Sequence, residues 1–156
     1  MKYLVSVARV WLVGLVAVHA TGCDSIQDAL YRSAIQKAIH EDALTGHGQT
    51  MDHVNAMRQV DLSDCPPEFR EAYSHHIHAW QEAAQVQLAK TELDNDEGPA
   101  VVEGVLATVF DLDASPWSDH VQAENQVSQL QAKARGDIQS TWQEVEDVAR
   151  KYGVQM

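Results

Sequence analysis

Cysteine is nearly missing from this chain: two in 156 residues, Cys23 and Cys65. Two thiols cannot build a disulfide framework, so the fold must rest on a core. Positive charge is also scarce, with 11 Lys and Arg against 23 Asp and Glu, a net charge of −12. That balance excludes nucleic acid as a partner, because phosphate binding needs a basic face. It equally excludes electrostatic docking on an anionic membrane. Long apolar runs are absent. The clearest is Val10 to Val18, nine residues, where a span needs about 20. No convincing period-two alternation occurs, which excludes a half-buried sheet. What is present is 45 % apolar residues, enough for one modest core.

The first 23 residues differ from the rest. Lys2 and Arg9 are followed by the apolar run, and Ala20, Thr21 and Gly22 are small. Positive, apolar and small parts in that order are what export machinery reads. This segment holds no acid, so the remaining chain has nine basic and 23 acidic groups, net −14. Ala20-Thr21-Gly22-Cys23 resembles the lipobox of bacterial lipoproteins, with Ala20 where Leu is commoner. The resemblance implies a signal peptide over 1–22, cleavage before Cys23, and a thioether-linked diacylglycerol on its sulfur, with further acylation such as palmitate on the new amine. Several acyl chains anchor stably, since each buried methylene adds about 0.8 kcal/mol. Asp24 follows, and in enterobacterial lipoproteins Asp at that place resembles the signal for retention in the inner membrane. Acylation of Cys23 would leave Cys65 alone in an oxidising compartment, to be buried, oxidised or paired with another chain.

Residues 23–156 read as one all-α domain. Breaks fall at Thr45 to Gly48, Asp94 to Pro99 and Asp111 to Pro116, all of loop composition. Ile26, Ala29, Leu30, Ala34, Ala38 and Ile39 recur at three and four, predicting a helix from Ser25 to Leu44. Met51, Val54, Met57 and Val60 predict a short second helix. A third starts near Pro66, and Phe69, Tyr73, His76, Trp80 and Ala83 share its inner face. Ala100 to Phe110 predicts a short helix containing Gly104. Trp117 to Tyr152 predicts a long one, with Trp117 and Trp142 as core anchors and Gly136 as the place for a bend. The expected fold is an antiparallel bundle of four to five helices, each burying one stripe.

The segment from Ser63 to Trp80 carries most of the chemistry. Pro66 and Pro67 suit a first helical turn, where a missing N–H costs nothing. Asp64 and Glu68 suit the positive end of the helix dipole. Cys65 sits at or beside the cap, where a thiol can be activated. Its acidic neighbours oppose that and favour a packed, inert thiol. Cys65-Pro66-x-x-Phe69-x-x-Ala72-Tyr73-x-x-His76-x-x-x-Trp80 resembles a motif of small uncharacterised bacterial secreted or envelope proteins. The closing stretch, Thr141-Trp142 to Gly153-Val154, is similar to the end of such proteins. That resemblance implies a fold and no activity.

The histidines divide by helical angle. His76 lies on the inner face, as a neutral core imidazole or, with a second inward ligand such as Met51, Met57 or His120, as a haem or metal ligand. His75 and His78 point outwards, in a stripe with Glu71 and Glu82 at i, i+4, i+7 and i+11. Imidazole and carboxylate suit Zn²⁺, Cu²⁺ or Ni²⁺, so these four are the candidate metal ligands. The plainer reading is a solvated acidic face.

Other motifs stop short. His40-Glu41-Asp42-Ala43-Leu44 lacks the second histidine of a zinc-protease helix. Neither acidic loop has the glycine of a calcium site. There is no G-x-S-x-G, P-loop, G-x-G-x-x-G or C-x-x-C-H. The residues therefore point to a lipid-anchored envelope protein facing the periplasm, without catalytic residues or cofactor. Its expected partners are the membrane, through its lipid, and another envelope protein. The alternative is a periplasmic metal- or haem-binding helical protein using His75 and His78, or His76.

Overall fold

The computed structural model describes residues 26–46, 51–95, 107 and 120–156. The signal segment with Cys23 and Asp24, the expected helix over Ala100 to Phe110, and Trp117 lie outside them. Four helices are described: α1 (residues 26–44), α2 (Met51–Met57), α3 (Pro67–Asp94) and α4 (His120–Lys151). No strand occurs among the described residues. The all-α bundle expected from the apolar period is the observed fold. Among the described residues no helix is long and apolar enough to cross a membrane.

Side-chain contacts give the topology. Thr45 after α1 meets His53 early in α2, and Lys37 earlier in α1 meets Asp61 after α2, so the two run antiparallel. Met51 reaches Gln85 and Arg58 reaches Gln81, so α2 and α3 run antiparallel as well. Glu68 at the start of α3 binds Lys151 and Tyr152 at the end of α4, and His76 meets Thr141. The result is an up-down-up-down arrangement in which each helix runs antiparallel to the next.

Both ends of the α3–α4 hairpin have local causes. Pro66 caps α3 in an extended conformation (φ −62°, ψ 150°), and its carbonyl accepts from the N–H groups of Phe69 and Arg70. Cys65 is thus the residue before the cap, and it is buried. α4 ends at Gly153, whose φ of 74° is left-handed backbone that glycine adopts without strain. Gly153 N–H donates to the Arg150 carbonyl and Val154 N–H to that of Ala149, which is the Schellman closure. Val154 and Ala149 are both buried, the apolar contact that accompanies this ending. Arg32 Nε donates to the Tyr152 carbonyl at 2.8 Å, placing a cation from α1 at the negative end of α4. Gly136 does not break α4, which runs unbroken over 32 residues.

The core has two parts. The larger contains Ile35, Ala38, Met57, Phe69, Tyr73, Val145 and Ala149, so α1, α2, α3 and α4 all contribute. The smaller lies at the far end of the hairpin, where Val86, Ala89 and Leu93 meet Ala123 and Val127. Alanines on α3 (72, 79, 83, 84 and 89) are buried throughout, which lets the neighbouring helices approach closely.

Candidate functional site

The polar groups of the larger core form a closed chain around His76, which is 4 % exposed. Trp80, one turn later, donates its indole N–H to His76 Nε2 at 3.0 Å. An indole nitrogen can only donate, so Nε2 is the acceptor and the ring carries its proton on Nδ1. That Nδ1–H meets Thr141 Oγ1 at 3.0 Å on α4. The Thr141 hydroxyl in turn donates to the Asp137 carbonyl at 2.8 Å. Trp142 packs on the imidazole with ring centroids 5.0 Å apart. Burial holds the His76 pKa down at about 4, well below its ordinary 6.5. His76 is a neutral core imidazole with both nitrogens engaged, the first of the two readings its position allowed.

Two more groups join this cluster. Tyr73 donates to Asp42 Oδ1 at 2.6 Å, joining α3 to α1. Burial, and then the Asp42 carboxylate, push the phenol pKa up. His53, buried on α2, stands edge-on to Trp80 at 4.7 Å. Its Nδ1 lies 3.3 Å from Thr45 Oγ1, whose own proton goes to the Asp42 carbonyl. Among the described residues no buried side-chain nitrogen or oxygen lacks a partner. These bonds join α1, α2, α3 and α4 and so fix the register of the four helices.

Haem ligation by His76 would require giving up either Trp80 or Thr141. Met57 lies in the apolar core, and Met51 Sδ faces the Gln85 amide at 3.8 Å. The His120 side chain lies outside the described residues.

The outward stripe is divided rather than gathered. His75 Nδ1 turns to Glu144 Oε2 on α4 at 3.2 Å. His78 Nε2 pairs with Glu82 Oε1 at 3.4 Å, and Lys133 approaches the other oxygen of Glu82 at 3.8 Å. Glu71 is exposed. No group of three or more His, Cys, Asp or Glu that could hold a metal is found among the described residues. The stripe runs along the α3–α4 seam, so α4 supplies competing partners that spacing along α3 does not reveal.

The Cys65 thiol is pushed up to about 11, first by burial and then by Asp61 and Asp64. A thiol in that state is a poor nucleophile. Asp61 itself is held down at about 2 by Ser63, which donates from both its N–H and its hydroxyl, and by Lys37.

Sequence reasoning missed His53, Asp42, Thr141 and Glu144 as members of these networks. His53 and Met57 share one face of α2 at i, i+4, a signal that was available. Asp42 and Glu144 were hidden, because each is one acid among 23. Comparison with protein-family models, with curated proteins and with solved structures finds no match to this chain, so its function is argued from its own residues.

Proposed function

We propose that this chain is a bacterial lipoprotein of the cell envelope, held to a membrane by acyl chains on Cys23 and facing the periplasm. The α-helical body serves as a non-enzymatic interaction or structural module for another envelope protein. One observation carries this reading: Ala20-Thr21-Gly22-Cys23 directly follows a segment of export-signal composition. Two further features support it. The body at net −14 is repelled by anionic lipid, so a covalent lipid supplies an attachment that charge cannot. The buried polar groups are spent on one another, as in a scaffold built for rigidity. Tethering raises the local concentration of such a module near membrane-bound partners.

Cys23→Ser removes the acceptor thiol. The variant is expected in the soluble fraction, without incorporation of labelled palmitate. Membrane association unchanged by that substitution would refute the anchor. Asp24 supports the inner membrane where enterobacterial sorting operates, and density-gradient separation of Asp24→Ser from the parent tests that placement. Cross-linking in intact cells, followed by membrane solubilisation, identifies the partner.

A further inference from the structure

The first turns of α1 carry an apolar surface that the bundle leaves uncovered. Residues 26–30 are all exposed, and Ile26 and Leu30 are each 65 % exposed. Four apart, they lie one above the other on a single face. That face borders an open groove of about 730 Å³, whose walls include Tyr31, Ala34, Lys37 and Asp64. Ile35 and Ala38, further along, are wholly buried. α1 is therefore docked by its later turns and presents its first turns outwards.

The position of Cys23 identifies what covers this face. Ile26 is three steps along the chain from it, and an extended chain spans at most about 3.6 Å per residue, so Ile26 lies within ~11 Å of the attachment point. Leu30 is about 6 Å further along the axis at 1.5 Å per residue. Acyl chains on Cys23 would hold that point at the bilayer surface. Amphipathic helices at that surface bury their apolar side about 5–10 Å into the boundary between headgroups and chains.

We infer that Ile26 and Leu30 seat the first turns of α1 in the headgroup–chain boundary of the membrane, so that the bundle stands on the bilayer in one orientation. The inference rests on the acylation of Cys23. The ligand is the lipid interface itself, uncharged lipid included, because the contact is apolar.

The test uses full-length acylated protein in phosphatidylcholine vesicles. Single fluorophores are placed through Ile26→Cys, Asp28→Cys, Leu30→Cys and Leu44→Cys, all at exposed positions. Cys65 is buried, and Cys23 would be thioether-capped, so each new thiol takes the label. Quenchers attached to lipid chains should act about threefold more strongly at 26 and 30 than at 28, and hardly at 44, following the helical face. Equal quenching at 26, 28 and 30 would mean mere proximity to the anchor and would overturn the inference, as would no quenching at all. Disulfide dimers through Leu30→Cys without lipid quenching would assign the face to a second copy, which also overturns it. The mass of the Cys23 peptide from the same sample separates the two failures. An acylated peptide with no helical pattern sinks the docking alone, whereas an unacylated one sinks the anchor and the docking with it.

Discussion

His76 is the residue on which the core turns. Its neutral form is required, because Trp80 needs Nε2 as an acceptor. With the pKa lowered from 6.5 to about 4 in the fold, the unfolded chain binds more protons between those values. Stability from this group is therefore complete above 6.5, falls as pH drops towards 4, and is level below. The shift corresponds to roughly 3 kcal/mol across that window. Chemical denaturation at steps of pH should show this slope in the parent and lose it in His76→Phe; equal slopes would show that His76 is not the group responsible. Subtracting the variant removes carboxylates common to both chains. Two glycines give an opposed pair. At Gly153 an added Cβ would stand 2.7 Å from Arg32 Nη2 on left-handed backbone, so Gly153→Ala should cost about 1–2 kcal/mol. At Gly136, mid-helix with open space around it, the same change should stabilise by about 0.5–1 kcal/mol. Urea midpoints measured side by side check both signs.

Among the elements, α3 and α4 are one long hairpin whose two halves are held differently. The proximal half packs Phe69, Tyr73 and Val145 against α1 and α2, with Trp80 and Trp142 alongside. It is locked at its end by Glu68, which Lys151 and Tyr152 both reach. Among the described residues, the distal cluster of Val86, Ala89, Leu93, Ala123 and Val127 contains no aromatic side chain. Smaller side chains bury less area and contribute less. Amide hydrogen exchange should accordingly show faster opening over 86–94 and 121–130 than over 69–80 and 138–149. Uniform protection along both helices would indicate a single cooperative unit instead. The helix boundaries of α1, α2 and α3 were legible beforehand because apolar spacing, the Pro66-Pro67 pair and the glycine-rich break act locally. The partner of His75 was not, because Glu144 arrives from α4, across the seam, and neither was the approach of Lys133 to Glu82, which His78 reaches within its own helix. Of the four residues along that stripe, His75 turns to Glu144 on the neighbouring helix while His78 meets Glu82 within the stripe.

At the scale of the whole molecule, acidity and the proposed lipid anchor would act in opposite directions. The net charge of −14 that follows residue 23 favours solubility and weakens any hold on anionic lipid. A membrane attachment made by acyl chains should then survive a wash in roughly 1 M salt, which shortens electrostatic reach to about 3 Å. Release by salt alone would point to an ionic contact and count against the lipid. The sequence by itself determined the helical class, the positions of the main helices, the acidity and the lipobox resemblance, since each is carried by neighbouring residues or by composition. Only the tertiary structure decided that His76 has both nitrogens engaged, that Cys65 is buried, that the histidine stripe is divided, and that Ile26 and Leu30 are left uncovered. The physical reason is the same for all four: burial and hydrogen-bond partnership depend on which helix lies opposite, and that is not written in the spacing of any one helix.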